Sequence, residues 1–453
     1  MATASKKVDM ISGSLFVNIF KFALPFMMTG LLQQLYNAAD VVVVGRYAGR
    51  AALAGVGTSG SINSLIINLV LGLSVGISVT IGRSLGAKDH ETTHKIVHTA
   101  MSLTLICGAF VTVVGVIFAK PLLILIDAEG EVLQQATIYL RILFLGKTFV
   151  LIYNFGAAIL RAKGETKKPL YIVTASGIIN VVLNLIFVRV FGMGADGVAL
   201  ATVISQIFNA GSVIYFLVKS DDSTRLYIKK LKVYKEELVN IIKIGVPSAI
   251  QSITFAVSNV IVQSGVNQLG EVVIAGNSAS NNIGSFLYVA LNTFYQATVA
   301  FVSQNMGARK FDRIKKIVAV SIFYCVVTWI IEALIVLIFG RALIGLYAPN
   351  DTAVIAQGVF KLTIVGSLYG LCGLMETMSG ALRGLGYSTS SMLISVIGVC
   401  GIRITWVMTV FAHYKTFLSL ILCMPLSWIG TFLLHSAFFL YVSRHHRLVS
   451  RAH

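Results

Sequence analysis

The stretch "LFVNIFKFALPFMMTGLLQQLYNAADVVVVG" at residues 15–45 holds only two charged residues, Lys21 and Asp40. About 20 apolar residues in a helix are enough to cross the hydrocarbon core of a membrane. Similar runs recur along the 453-residue chain, in which 56% of residues are hydrophobic and 12% are charged. A soluble protein would contain about 25% charged residues. The sequence therefore predicts an all-α polytopic membrane protein.

Twelve membrane spans are predicted from the alternation of apolar runs and polar breaks. They cover residues 15–45, 51–82, 95–119, 132–160, 169–190, 196–218, 238–268, 272–303, 315–339, 354–382, 388–412 and 417–442.

The distribution of basic residues predicts the orientation. With a cytoplasmic N-terminus, 24 Lys and Arg residues fall in inside segments and 6 in outside loops, which is a strong positive-inside bias. We therefore expect a multi-pass protein of the plasma (inner) membrane with both termini in the cytoplasm. The net charge of +18 then indicates contact with anionic lipids and no nucleic-acid partner.

The two halves of the chain resemble each other at an offset of 221 or 222 residues. "SLGAKDHE" at 84–91 pairs with "NMGARKFD" at 305–312, and Pro25 pairs with Pro247. We expect an N-terminal lobe at residues 1–218, a cytoplasmic linker at 219–237 and a C-terminal lobe at 238–453. Six spans per copy predict lobes related by a pseudo-two-fold axis along the membrane normal, a pattern typical of transporters. Pro25 and Pro247 are candidate hinges within the first and seventh helices.

An acid inside the first span is the most informative single residue. Intramembrane carboxylates are costly and usually face a cavity or a partner. Counting residues from the outer ends of the helices places Asp40, Asn184 and Thr202 at similar depth, and helical spacing adds Tyr36 and Asn180. Such a carboxylate can exchange a proton, because burial disfavours its charge while hydrogen bonds hold either form. The same oxygens could bind Na⁺, and a polar cluster that only joins helices is the alternative.

The second copy lacks this group, since Asp40 maps to Ile261 at the 221 offset. Glu376 could attract a cationic substrate or pair with Arg403 or Lys361. Polar residues inside spans are expensive facing lipid, so most of them should line a cavity or helix contacts. The candidates for a substrate cavity are Gln33, Asn37, Asn259, Gln263, Asn281, Asn292, Glu376 and Arg403.

Enzymatic chemistry is not expected. The five cysteines lie in apolar stretches without paired spacing, and no phosphate-cradling Gly-Lys motif is present. We expect no catalytic residues, no cofactor and no resident metal site, with a proton or Na⁺ as the coupling ion.

The stretch "LPFMMTGLLQQLYNAADVVVVGRYAGRAALAGVG" resembles the first-helix signature of MATE (multidrug and toxic compound extrusion) transporters. "GRSLGAKD", "LRAKGETKKP", "GVPSAIQS", "SQNMGARK" and "ALRGLG" resemble the family's repeated loop motifs, so the resemblance covers nearly the whole chain. It implies a twelve-helix antiporter that exports cationic, often aromatic drugs using a proton or sodium gradient.

The resemblance also implies a branch and a coupling site. In the DinF-like branch, an Asp of the first helix forms the site with nearby Tyr, Asn and Thr residues, which Asp40, Tyr36, Asn180 and Thr202 match. Asn184 departs from members with a second Asp at that position, and this weakens a sodium site. The seventh helix lacks the acidic residue of the NorM-like branch, which favours the DinF-like arrangement and proton coupling.

The sequence thus predicts a monomeric efflux antiporter for small organic cations or amphiphiles, surrounded by membrane lipids and working by alternating access. One alternative is a flippase for a lipid-linked oligosaccharide or other amphiphile, whose anionic headgroup would need basic residues in the cavity. The candidates for that role are Arg141, Lys147, Lys243, Lys361 and Arg403. An ion channel is a third possibility.

Overall fold

The computed structural model describes residues 7–48, 50–125, 129–349 and 351–451. These residues form helices joined by short connections, and no β-strand occurs among them. Ten helices are long and apolar enough to cross a membrane, and two further bent pairs bring the number to twelve. The predicted all-α polytopic fold is confirmed.

The spans are numbered α1 to α12 in chain order. They comprise α1 (Leu15–Tyr47), α2 (Arg50–Gly86), α3 (His90–Ile124), α4 (Gly130–Leu145 with Lys147–Ala162), α5 (Lys167–Val190), α6 (Ala195–Val218), α7 (Lys235–Asn267), α8 (Glu271–Gly307), α9 (Phe311–Gly345), α10 (Thr352–Gly366 with Tyr369–Gly384), α11 (Ser388–Phe411) and α12 (Phe417–Arg444).

Two spans are bent where the sequence predicts continuous helices. The halves of α4 meet at 47° around Gly146, and those of α10 meet at 40° between Gly366 and Tyr369. The two breaks lie about 222 residues apart, so the repeat includes its bends. At Gly146 a Cβ atom would lie 2.8 Å from Val203, and this close approach of α4 and α6 favours glycine.

Five π-helical turns interrupt the spans of the described residues. They are Val44–Ala48 in α1, Leu185–Val190 in α5, Leu362–Gly366 in α10, and Val396–Gly401 with Val407–Phe411 in α11. A π turn frees backbone groups and reorients side chains, and such turns are frequent at functional sites.

The chain divides into two compact units that exchange short segments of helix. The N-terminal unit contains Leu24–Gly245 with the chain's first residues up to Val8, and the C-terminal unit contains Asp9–Ala23 with Val246–His453. These units differ from the predicted lobes, because the start of α1 belongs to the C-terminal unit and the start of α7 to the N-terminal one. Each crossing lies next to a predicted hinge, Pro25 or Pro247, although both helices continue through their proline.

Close packing fixes both exchanged segments. At Gly76 of α2 a Cβ atom would lie 2.4 Å from the carbonyl oxygen of Ile241 in α7. In the C-terminal unit, Asn305 donates to the carbonyl of Met10 at 2.8 Å, and the rings of Phe22 and Phe301 meet edge to face at 5.6 Å.

The outer faces of the units are apolar, as a lipid-exposed surface requires. In α9 only 17% of the most apolar window is buried, and Leu334, Leu337 and Ile338 are all exposed. The buried core of the N-terminal unit is built from α2, α3, α4, α5 and α6, with Ile77, Phe155 and Val213 among its fully enclosed side chains.

Candidate functional site

The carboxylate of Asp40 lies near the C-terminal end of α1, one turn before the π turn at Val44–Ala48. Asn184 is the last α-helical residue of α5 before the π turn Leu185–Val190, and its side chain is fully buried. The Nδ2 atom of Asn184 donates to Oδ1 of Asp40 at 2.5 Å. Two neighbouring π turns therefore flank the acid and its hydrogen-bond donor.

A line of amide and hydroxyl groups continues from this pair. Asn184 Nδ2 also lies 3.3 Å from Oδ1 of Asn180, and Asn180 Nδ2 donates to the hydroxyl of Thr202 at 3.5 Å. The Thr202 hydroxyl donates to the carbonyl of Val198 within α6 at 2.9 Å. The predicted proximity of these four residues is thus present in the structure. We call Asp40, Asn180, Asn184 and Thr202 the acidic cluster.

One atom of the acidic cluster stands out because it has no hydrogen-bond partner in the described structure. The Oδ1 atom of Asn184 is buried and accepts no hydrogen bond. Such an orphaned acceptor is costly. The cluster therefore has an unused position for a donor, which a proton on Asp40 or a bound cation would supply.

Two tyrosines flank the acid. The Tyr36 hydroxyl donates to the carbonyl of Thr174 in α5 at 3.4 Å, so this predicted member braces α1 against α5. Its ring lies over Gly177, where a Cβ atom would come within 1.8 Å of it. Tyr139 of α4 interacts electrostatically with Asp40, and it packs against the apolar cluster that includes Val43 and Val198. Sequence reasoning missed Tyr139, because no nearby polar pattern distinguishes it on α4.

The C-terminal unit assembles a second polar group from Lys361, Asn277 and two of the predicted cavity residues, Asn281 and Gln263. Lys361 of α10 donates to the side-chain oxygens of Asn277 at 2.7 Å and Asn281 at 2.5 Å. Asn277 in turn donates to Gln263 of α7 at 2.9 Å.

Arg403 of α11 extends this polar group toward α7 and α12. It donates to the side-chain oxygen of Asn259 at 2.8 Å and to the Ser427 hydroxyl at 3.1 Å. We call Lys361, Arg403, Asn259, Gln263, Asn277 and Asn281 the basic cluster.

The remaining candidates are placed separately. Asn292 donates to the Tyr288 hydroxyl at 3.1 Å, while Gln33 and Asn37 are exposed along α1. Glu376 is buried, and the cation that interacts with it electrostatically is Arg383. The pairing of Glu376 with Arg403 or Lys361 is absent from the ion pairs of the described residues.

Of the five basic residues considered for a flippase, only Lys361 and Arg403 belong to the basic cluster. Arg141 and Lys243 are exposed, and Lys147 donates to the side-chain oxygen of Asn63 in the N-terminal unit. Lys361 and Arg403 alone share one cluster. Within the described residues, no group of three or more His, Cys, Asp or Glu side chains is arranged to hold a metal ion.

Comparison with known sequences gives one family. A sequence profile described as MatE matches residues 25–186 and again residues 247–409. The two matches begin at Pro25 and Pro247, which confirms the internal repeat and its offset of 222 residues. Together they cover more than half of the chain.

Similar proteins include two that are named for multidrug resistance or multidrug export. The chain is 28% identical over 404 residues to the probable multidrug resistance protein YoeA of Bacillus subtilis, covering 87% of this chain and 86% of that protein. It is 25% identical to the multidrug export protein MepA of Staphylococcus saprophyticus, with 87% of each chain covered.

Solved structures show the same fold. A MATE protein in the bent conformation superposes with a TM-score of 0.91 at 22% identity, over 99% of this chain and 100% of that one. A MOP superfamily transporter from Pyrococcus furiosus, described by the reverse polarity of its binding pocket, superposes with a TM-score of 0.92 at 22% identity, covering 98% of this chain and 99% of that one.

Proposed function

The chain belongs to the MatE family of multidrug efflux transporters, and we propose that it is an antiporter that exports cationic or amphiphilic organic compounds in exchange for protons at Asp40. The observation that carries this proposal is the acidic cluster. In this cluster the carboxylate of Asp40 accepts a hydrogen bond from the buried side-chain amide of Asn184. The oxygen of the same amide has no hydrogen-bond partner.

The chemistry of the cluster suits a proton that binds and leaves. The charged carboxylate is held by the N–H of Asn184. When Asp40 is protonated, its O–H needs an acceptor, and the Oδ1 atom of Asn184, which has no partner, belongs to the side chain that already contacts the acid. Both states of the acid can therefore be hydrogen-bonded, and the difference between them is a rearrangement of amides.

Coupling then follows from the position of Asp40 on α1. A proton arriving from the outer side neutralises Asp40, which changes the hydrogen bonds between α1 and α5. The helix α1 contributes residues to both compact units, and the division lies beside Pro25. A change in the hydrogen bonds of Asp40 can therefore reach the C-terminal unit along this one helix. We propose that Pro25 and Pro247 act as the hinges of this movement, with both termini in the cytoplasm and a single chain as the working unit.

Sodium is the alternative ion. The oxygens of Asp40, Asn180, Asn184 and Thr202 could surround Na⁺, and the acceptor of Asn184 favours a cation as well as a proton. The cluster offers one carboxylate, so a bound Na⁺ would be balanced by a single negative charge. Protons remain the proposed ion, because Asn184 stands where a second carboxylate would strengthen a sodium site.

A flippase for an acidic amphiphile is the second candidate function, and the basic cluster is the observation that favours it. The reverse polarity described for the binding pocket of the Pyrococcus furiosus transporter indicates that this fold can hold a pocket of either sign. The single pair of clustered cations keeps this proposal below the antiporter.

The test is export of ethidium, an aromatic cation, by cells that express Asp40→Asn at the same level as the wild type. The amide keeps the shape of the side chain and removes its charge, so export is expected to fall to the level of cells without the transporter. Asp221→Asn, the same change at an exposed position of the linker, should export like the wild type. Near-normal export by Asp40→Asn would refute the proposal.

A further inference from the structure

The C-terminal unit buries two cations that have no acidic partner among the described residues. The side chains of Lys361 and Arg403 are 3% and 4% exposed. Neither side chain takes part in an ion pair with another described residue. Burial of charge is expensive unless an opposite charge or metal accompanies it. Neutral amides and hydroxyls hold these two cations in place but leave their charge unbalanced.

The two cations belong to one network. Arg403 binds Asn259, and Lys361 is linked through Asn277 to Gln263. Asn259 and Gln263 lie four residues apart on α7, which places them on one face of that helix. Lys361 and Arg403 therefore both hydrogen-bond, directly or through one amide, to that face of α7. A group that binds between them would meet positive charge from α10 and α11 together.

Hydrogen-bond donors dominate the open side of this network. Asn259 and Asn281 have exposed side chains, and their oxygens already accept from Arg403 and Lys361. Their amino groups consequently point away from the cations, and neither donates to another group of the described structure. Two cationic side chains and two free amide donors form a set that matches the oxygens of a carboxylate or a phosphate.

Backbone structure singles out the same residues. Lys361 immediately precedes the π turn Leu362–Gly366, and Arg403 lies between the π turns Val396–Gly401 and Val407–Phe411. The other two π turns of the described chain flank Asp40 and Asn184. All five π turns thus adjoin either the acidic cluster or the basic cluster, although turns of this kind are rare.

We propose that the basic cluster binds the oxyanion group of the transported compound. Lys361 and Arg403 supply the charge, and Asn259 and Asn281 supply neutral donors. This inference rests on the proposed function, since it takes the chain to be a transporter, and it narrows the substrate class. The preferred compounds are amphiphiles with a carboxylate or a phosphate, including zwitterions that also carry a cation.

The test compares rhodamine B, which has a free carboxylate, with its methyl ester, which lacks the negative charge and is otherwise nearly identical. Binding to the purified full chain in a neutral detergent is measured by fluorescence polarisation, without any gradient. The wild type is expected to bind rhodamine B about tenfold more tightly than the ester, a difference of about 1.4 kcal/mol. Equal affinities for the two dyes in the wild type would overturn the proposal.

Variants identify the residues that are responsible for the preference for rhodamine B over its ester. Lys361→Gln and Arg403→Gln should each lower the affinity for rhodamine B toward that for the ester, whose own affinity should change less. Lys361→Arg, which keeps the charge, should retain the preference. This variant also shows whether the protein still folds when residue 361 is changed. Lys147→Gln, a matched change at a buried lysine of the N-terminal unit, should behave like the wild type. Discrimination that survives in Lys361→Gln combined with Arg403→Gln would also overturn the proposal.

Competition distinguishes the two oxyanions. Dodecanoate and dodecyl phosphate, below their micellar concentrations, should displace rhodamine B from the wild type, and the more effective one identifies the preferred group. If neither displaces the dye, the proposal is wrong. Asp40→Asn should retain the preference for rhodamine B, so a failure of proton coupling and a failure of oxyanion binding give different results.

Discussion

In the N-terminal unit, the hydrogen-bonded cluster beside the π turns contains the carboxylate of Asp40, whereas the corresponding cluster of the C-terminal unit contains Lys361 and Arg403. At the repeat offset of 222 residues, Lys361 corresponds to Tyr139, which faces Asp40, and Asn259 corresponds to Asn37. The two copies have thus kept their helices and differ in the charge of the polar cluster that each one holds.

This difference indicates a division of work between the units. A site that must take up and release a proton needs an acid whose two forms are both hydrogen-bonded, and the acidic cluster provides this. A site that must hold an oxyanion needs fixed positive charge and donors, and the basic cluster provides those. The comparison predicts that changes in one cluster alter one function and leave the other in place.

Among the neighbours of Asp40, the largest effect is expected for Asn184→Leu, which removes the donor to Asp40 while keeping a similar volume. Loss of a hydrogen bond to a charged group costs about 1.5–3 kcal/mol, which corresponds to a loss of roughly 10- to 150-fold in gradient-driven transport. Initial rates of ethidium transport in proteoliposomes measure it. Asn154→Leu, at an amide that bonds to its own helix, is the control, and equal rates in both variants would contradict the role of Asn184.

A change of ion is expected for Asn184→Asp, which gives the acidic cluster a second carboxylate. Two adjacent carboxylates repel each other unless a cation lies between them. Sodium should therefore stimulate transport by this variant at concentrations roughly tenfold lower than any effect on the wild type, corresponding to about 1.4 kcal/mol. A titration of transport with NaCl against choline chloride checks this. Identical curves would show that Asn184 does not determine the ion.

A smaller effect is expected for Tyr139→Phe, which removes one hydroxyl beside Asp40. Among the described residues no hydrogen bond joins this hydroxyl to Asp40, so transport should fall by less than about tenfold, which corresponds to about 1.4 kcal/mol. The binding preference for rhodamine B over its ester should stay at the wild-type value, because Tyr139 belongs to the other unit. A loss of that preference would contradict the division between the clusters.

The smallest effect compares the repeat-related residues Asn259 and Asn37 directly. Rhodamine B at twice its Kd should slow thiol labelling of Asn259→Cys roughly threefold through simple occupancy. Labelling of Asn37→Cys should respond equally to the acid and the ester, since Asn37 belongs to the N-terminal unit and the basic cluster to the C-terminal unit. Stronger protection of Asn37→Cys by the acid than by the ester would place the oxyanion in the wrong unit.

The sequence was sufficient for the fold and for most of the acidic cluster. Hydropathy and loop charge predict twelve spans. Counting residues from helix ends brings Asp40, Asn184 and Thr202 to one depth, helical spacing adds Asn180, and the structure joins all four by hydrogen bonds. This succeeds because depth in a membrane depends mainly on distance along a helix.

Contacts that depend on helix rotation and bending could not be predicted in the same way. Tyr139 reaches Asp40 from a bent helix, and the network from Lys361 through Asn277 to Gln263 needs the relative rotation of α7, α8 and α10. The π turns and the packing of residues 9–23 in the C-terminal unit leave no clear pattern in a single sequence. The attachment of both Lys361 and Arg403 to one face of α7 is therefore known from the structure alone.

The most direct test of the central claim, that Asp40 carries the coupling ion while the basic cluster does not, is transport in proteoliposomes with pH and sodium gradients imposed separately. A pH gradient alone should drive ethidium through the wild type and through Lys361→Gln, and it should drive none through Asp40→Asn. Transport by Asp40→Asn at the wild-type rate under either gradient would contradict the account.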